Sequence, residues 1–359
     1  MDSISIAGAG PTGLALALFL KQKGVTPYIF EQKSERVKLS KAFGVNPRTL
    51  TLLEETGATE RFLQNGRKMT ALNLWRNGKI VLKNDFSEKK IKYPFMLVQS
   101  QEDSERILEE LLLEQGVEVD RGKTLQKVSM EQHGIRLQLK EKESLQTDFL
   151  FGADGAGSTV RKSLGLSFQG HKVEDAWNLI DLELELPLDR DDAHIFLLDK
   201  GAVFIVRVYG DVWRVIGNVE NLLEYLPKET QVGQVIWKSD FGISHRSVEN
   251  FNYQHVFLGG DAAHIHSGLG ARGMNLGIED AYVFAQLFAQ GNVEAYNTHR
   301  KPVIDEVMKR IEMMTDIMRG QSFKAQMMRK MTPILPFAFA LVKDYATDFV
   351  LGLDHDIKI

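Results

Sequence analysis

The chain has 359 residues, with 44 Lys and Arg against 48 Asp and Glu for a net charge of −4, and 43% of its residues are hydrophobic and 26% charged. That length predicts more than one core unit and excludes a small stapled scaffold, while the near-neutral balance without a basic run argues against nucleic acid as a partner. The absence of cysteine removes disulfides, thiolate nucleophiles, Cys-ligated zinc and iron–sulfur clusters together, so any redox chemistry must come from a bound cofactor.

In chain order, Ser3 to Ala7 reads as a short strand, Gly8 to Gly13 as a glycine turn, Leu14 to Lys23 as an apolar helix stopped by Gly24, and Pro27 to Phe30 as a second strand. This is a βαβ opening, and no basic segment precedes it as a secretory signal would require. Asn77-Gly78 between Leu72–Trp75 and Ile80-Val81 predicts a hairpin. Gln101 to Gln115 reads as a helix with Ile107, Leu108, Leu111 and Leu112 on its apolar face, closed by Gly116. From Trp177 to Val219 the pattern changes: Leu182, Leu184 and Leu186 alternate with Glu183 and Glu185, and β-type runs follow at 194–198, 202–208 and 212–217. An antiparallel sheet with one wet face is expected there. After Asn252 come a strand, His255 to Leu258, a glycine-rich turn and a helix from about Met274 to Gln290, so an α/β nucleotide-type fold is interrupted by a sheet and then resumed. Pro302 to Leu353 reads as helices, whose methionines between Met308 and Met331 are expected mainly as packing core. The apolar run 334–342 contains Pro336 and is too short to span a bilayer, and the expectation is a cytoplasmic protein without a transmembrane segment.

Three segments carry chemistry. Gly8-Ala9-Gly10-Pro11-Thr12-Gly13 lies between a strand and a helix, and Glu31 follows Gly13 by 18 residues at the end of the next strand. Such glycines permit a tight turn and close approach to a pyrophosphate at a helix N-terminus, and the acid is spaced to meet a ribose hydroxyl. The second, Gly152-Ala153-Asp154-Gly155-Ala156-Gly157-Ser158, follows the run 148–151; Asp154 can accept from cofactor hydroxyls and Ser158 suits a helix N-cap, although an ordinary strand–turn–helix cap reads the same way. The third runs from Gly259-Gly260-Asp261-Ala262-Ala263-His264 through Gly268, Gly270 and Gly273-Met274-Asn275 to Glu279-Asp280. A helix starting near Met274 would aim its positive end into a glycine-lined space. His264 and His266 without a third ligand make a thin case for metal, so none is expected.

In this order and spacing the three segments resemble the FAD-dependent aromatic-ring hydroxylases, the flavoprotein monooxygenases typified by para-hydroxybenzoate hydroxylase. The resemblance implies a Rossmann-like FAD-binding domain of discontinuous segments, 1–70, 98–172 and 250–300, interrupted by an antiparallel β-sheet substrate domain, 71–97 and 173–249, with C-terminal helices over 301–359. It implies FAD with NADPH or NADH as reductant, the latter bound without a Rossmann domain of its own, and hydroxylation of an aromatic or polycyclic small molecule through a flavin hydroperoxide. By the same resemblance Gly8, Gly10, Pro11, Thr12, Gly13 and Glu31 form the ADP-binding fingerprint, and Asp154 with Gly155 serves FAD and nicotinamide. Asp261 meets the ribityl and pyrophosphate region, Gly270, Met274 and Asn275 lie against the flavin ring, and Gln101 lies near the FAD chain. Lys41 stands where the family has an arginine, keeping the charge without the planar fork, and Ser267-Gly268 replaces a common Pro-Pro, predicting a more flexible loop.

Chemistry driven by a flavin needs positioning and water exclusion from the protein, so no catalytic side chain is assigned. Along Ala202 to Val208 one face offers Phe204, Val206 and Val208 and the other offers Val203, Ile205 and Arg207. The first face suits an apolar substrate; Arg207 on the second could pair with an acidic or phenolate group. Trp177 and Trp213 are pocket walls or, as aromatic residues on such a sheet more often are, core. A reductase or halogenase of the same fold, a flavin- or ligand-binding protein without activity, and a homodimeric assembly are the other possibilities; the isolated tryptophans speak against the halogenase.

Overall fold

The computed structural model describes residues 2–36, 43–331, 336–357 and 359. A six-stranded sheet sets the strands Asn252–Tyr253, Val256–Leu258, Phe149–Gly152, Ile4–Ala7, Tyr28–Glu31 and Val119–Arg121 side by side. All neighbours are parallel except the hairpin at the Asn252–Tyr253 edge. The three adjacent central strands come from residues 4–7, 149–152 and 256–258, so the chain leaves this sheet and returns to it. The helix Pro11–Gln22 is buried from Gly13 to Leu20 without a break, because it lies between the sheet, the helix Gln101–Glu114 and the helix Arg272–Ala289. An all-round apolar sequence such as Leu14–Leu20 has no wet face to offer.

A second, eight-stranded sheet runs in the order His264–Ile265, Gln231–Ser247, Gln169–Glu185, Val212–Gly217, Ala202–Tyr209, Asp192–Leu197, Ala71–Arg76, Lys79–Asp85. It is antiparallel apart from the pairing of Asp192–Leu197 with Ala71–Arg76. The predicted hairpin is present, with Asn77 at φ 51° and Gly78 at φ 72°, the left-handed pair that a two-residue turn between twisted strands requires. Leu182 and Leu184 are buried with Val203, Ile205, Trp213 and Val215 on one face. The opposite face buries Trp177, Ile195, Leu197 and Ile243 against Met318, and Val206 against Met69, Met96 and Val98.

Several elements differ from expectation. The strand Gln231–Ser247 was not expected: its first six residues are exposed and carry no alternation, although Trp237, Phe241 and Ile243 beyond them fall on one face. A three-stranded sheet over Leu125–Glu131, Gly134–Leu139 and Ser144–Thr147 also escaped notice. The helix containing Pro302 starts at Tyr296, so that proline lies inside the helix instead of opening it. Met318 is buried and Met308 and Met314 half-buried, but Met313 and Met327 are exposed, so the methionines are not one packing core. Among the described residues no helix is long and apolar enough to cross a membrane.

Candidate active site

The glycines of the first turn divide by what a side chain would meet. A Cβ on Gly8 would sit 2.4 Å from the Ala153 carbonyl oxygen, and one on Gly13 would sit 2.0 Å from that of Gly8, so both positions are closed by backbone. A Cβ on Gly10 would meet nothing within 4 Å, which leaves that side open to a ligand. Gly10 caps the helix without a side-chain hydrogen bond, Pro11 occupies the first turn, and no acid lies there, so its N–H groups and positive dipole end are unspent. Glu31 closes the turn from the next strand, accepting the Ala9 N–H at 3.0 Å and the Lys33 N–H at 2.9 Å.

The second segment reaches the same place because its strand lies beside Ile4–Ala7, and the Ala153 N–H donates to the Ala7 carbonyl at 2.8 Å. Asp154 spends one oxygen on the helix that follows, accepting the Thr159 and Val160 N–H groups at 2.6 and 3.1 Å; its other oxygen is buried and has no protein partner. Burial holds this carboxyl above its ordinary value despite those hydrogen bonds. Gly155, at φ 79°, and Gly157 both face open space, and Ser158 caps its helix through the Arg161 N–H at 2.9 Å, as predicted. Arg161, not singled out from the sequence, donates to the carbonyls of Ala156 and Ala262, both at 2.8 Å, tying the second segment to the third.

The third segment arrives on the neighbouring strand, and the Gly259 N–H donates to the Gly152 carbonyl at 3.1 Å. Thr12 explains two further glycines: a Cβ on Gly260 or Gly277 would come within 2.5 or 2.2 Å of its hydroxyl oxygen. Asp261 is exposed, and desolvation by the surrounding protein raises its carboxyl above the ordinary value. Asp280, buried two turns into the helix Arg272–Ala289, accepts the Gly260 N–H at 2.9 Å, the His264 Nε2–H at 2.7 Å and the Arg300 Nε–H at 2.7 Å. Asn275 spends its side chain on structure, accepting the Asn46 N–H at 3.0 Å and donating to Gly44 and Ala271 at 2.9 and 2.5 Å.

Just before the helix Arg272–Ala289, Gly270 at φ 72° packs against Phe349, and Ala271 holds a left-handed φ of 53° unusual for a residue with a Cβ. The helix opens without a side-chain cap and without an acid in its first turn, and Met274 is half-buried there. In the Ser267-Gly268 pair the serine hydroxyl is buried and bonded to that of Thr315 at 2.8 Å, while Gly268 faces open space. Gln101 opens its own helix and donates to Glu105 at 2.7 Å. Lys41 lies outside the described residues.

Facing this cleft, Phe204 lies 6.0 Å ring to ring from Phe43, and Val206 and Val208 share its apolar cluster. Arg207 is not with them; it pairs with Asp191 at 2.9 Å and donates to the Arg190 and Gly210 carbonyls. The sequence missed Arg214, half of a buried two-point ion pair with Asp181, both bonds 2.8 Å, lying 5.3 Å from the Phe43 ring. Trp213 is core on the far face, whereas Trp177 is buried on the near face with its indole N–H unpartnered. His264 is committed to Asp280, and among the described residues no three metal-ligating side chains come together.

The three segments therefore meet at the C-terminal ends of adjacent strands, where the open sides of Gly10, Gly155 and Gly157, an unpartnered Asp154 oxygen and two uncapped helix ends fit a dinucleotide with an anionic pyrophosphate. The family model for the FAD binding domain matches residues 1–208 and 218–310. The chain belongs to the FAD-dependent aromatic hydroxylase family. Within this flavoprotein family it is 27% identical to rifampicin monooxygenase of Streptomyces venezuelae over 94% of this chain and 76% of that relative. It is also 27% identical to pentachlorophenol 4-monooxygenase of Sphingobium chlorophenolicum, over 89% of this chain and 65% of that one. The solved OxyS anhydrotetracycline hydroxylase of Streptomyces rimosus superposes with a TM-score of 0.79 at 25% identity, covering 100% of this chain and 77% of that one. The p-nitrophenol 4-monooxygenase PnpA of Pseudomonas putida gives 0.82 at 20% identity, covering 99% of both chains, a likeness of fold.

Proposed function

We propose that this flavoprotein is an NAD(P)H-dependent monooxygenase that places one oxygen atom on an aromatic or polycyclic small molecule. The observation that carries the reading is the meeting of three cofactor segments beneath an apolar sheet face bearing Phe204 and Val206. FAD, when bound, would supply two-electron redox chemistry between NADPH or NADH and O2, with one oxygen atom going to the substrate and the other to water. The chain's part is to hold and exclude. Gly10, Gly155 and the helix end at Pro11 receive the pyrophosphate; Glu31 and Asp154 hold ribose hydroxyls; Asp261 meets the ribityl end; and the backbone at Met274 and Asn275 faces the ring. Phe204 and Val206 keep water from the reacting carbon.

In this reading residues 1–70, 98–172 and 250–300 serve the cofactor and 71–97 and 173–249 the substrate, and the enzyme works in the cytoplasm, alone or as a homodimer. The family relationship and the names of the relatives support oxygen insertion over the reductase, halogenase and non-catalytic alternatives. The test is NADPH and NADH oxidation by the FAD-loaded protein across phenols, aromatic acids and polycyclic aromatics. At least one class should stimulate oxidation severalfold; bound FAD with no stimulation by any compound contradicts the reading.

A further inference from the structure

The sheet face above the cleft holds buried polar atoms that no protein group satisfies. His245 is 4% exposed and both ring nitrogens lack partners; the Trp177 indole N–H, 7% exposed, lacks one too, and so does Nε2 of His266. Buried polar atoms in a folded protein are almost always paired, so three unpaired groups in one neighbourhood mark a place where something else supplies the partner.

They do share a neighbourhood. Trp177 and Ile243 belong to one apolar cluster with Met318, against which Phe204 and Leu269 pack. His245 lies two residues beyond Ile243 on the same strand and so points to the same face. Arg246 pairs with Ile265, which makes His245 and His266 the next positions in register, side by side on that face. The His266 ring lies 3.8 Å from where a Gly273 Cβ would be, at the opening of the helix assigned to the flavin ring.

The hydrogen-bonding capacities are complementary to one chemical class. His266 Nδ1 donates to the Ser267 carbonyl at 2.8 Å, so its neutral ring presents Nε2 as an acceptor. Trp177 offers only a donor, and neutral His245 offers one of each. Arg214 is paired with Asp181 and Arg272 with Asp354; Arg246, whose Nε lacks a partner, is one residue on from His245 and so lies on the opposite face of the strand. Burial, with His264, Arg272 and His245 as neighbours, pushes the His266 imidazole down to about 3, and burial likewise lowers His245 beside His171 despite Glu312, so both rings are uncharged at neutral pH.

We propose that His245, His266 and the Trp177 N–H form the polar anchor for the substrate, and that the substrate is an uncharged aromatic bearing hydroxyl and keto oxygens instead of an aromatic carboxylate. A hydroxyl donates to His266 Nε2, and keto or hydroxyl oxygens accept from Trp177 and His245. A carboxylate entering this site loses its hydration without gaining a cation. The proposal rests on the monooxygenase reading for the place of the substrate.

The test is calorimetric titration of the FAD-loaded protein with 1,8-dihydroxyanthraquinone and anthraquinone-2-carboxylate. The dihydroxy compound is expected to bind at least about tenfold more tightly. His245→Phe and Trp177→Phe should each remove most of that preference, whereas His245→Gln, which keeps a donor and an acceptor, should retain it. Equal or tighter binding of the carboxylate, no binding of either probe, or wild-type discrimination in both phenylalanine variants overturns the proposal. FAD content in the same samples separates the two claims: wild-type protein without FAD defeats the monooxygenase reading, and lost discrimination with FAD in place defeats only this one.

Discussion

At the scale of single residues, the glycines of one motif do different jobs, and only the backbone around each shows which. Gly10 has extended φ and ψ of −78° and −178°, with empty space where a Cβ would go, so Gly10→Val should fold with the wild-type melting temperature. Its side chain would then stand in the pyrophosphate's place, and the purified protein should lose at least about nine-tenths of its FAD absorbance. Gly13→Val should instead fail to give folded protein, because its Cβ would lie 2.0 Å from the Gly8 carbonyl oxygen. Equal behaviour of the two variants would contradict the assignment. The sequence spacing was enough to find the turn, Glu31 and Asp154. It could not show that Thr12 presses on Gly260 and Gly277, or that Asn275 is spent on Gly44 and Asn46, since those partners lie far away in the chain.

At the scale of elements, the strand ends are held in place by a buried charge cluster on two helices. Asp280 joins the loop at Gly260, the histidine at 264 and Arg300 of the following helix, all with little or no exposure. Burial opposes its ionisation, but Arg300, His264 and the Gly260 N–H outweigh that and keep the carboxyl below its ordinary value. A depressed carboxyl contributes stability that is fully present above the ordinary carboxylate range and is lost as pH falls from that range down through the lower folded-state value. Asp280→Ala should therefore cost about 3–5 kcal/mol at pH 7, by leaving buried Arg300 with only Glu279 at 3.5 Å and taking the acceptor from the Gly260 N–H and His264 Nε2, and less at acid pH, as read from urea midpoints. A midpoint unchanged at pH 7 would show that the cluster does not brace the loop. Helices and amphipathic strands were legible because burial prints a period on them; the first six residues of the strand Gln231–Ser247 were not, because exposure leaves none. His245, a buried polar feature of the sheet face, carried no sequence signal of its own: a lone histidine announces nothing until its neighbours are known.

At the scale of the whole molecule, two sheets built from interleaved segments place a cofactor cleft and an apolar roof against each other. The strands at 4–7, 149–152 and 256–258 bring three distant motifs to one edge, and the excursion between the last two supplies most of the roof. Motif order alone implied this architecture through family resemblance. Which face of the strand Ala202–Tyr209 looks down was settled only by packing, which sets Phe204 near Phe43 and ties Arg207 to Asp191. The most direct test of the account is isotopic. FAD-loaded protein, NADPH or NADH and a stimulating aromatic substrate are incubated under labelled dioxygen, ¹⁸O₂, and the product mass is measured. The account predicts one ¹⁸O atom in the product and none when the label is carried by water instead. A product that gains hydrogen alone, or that takes its oxygen from water, would contradict it.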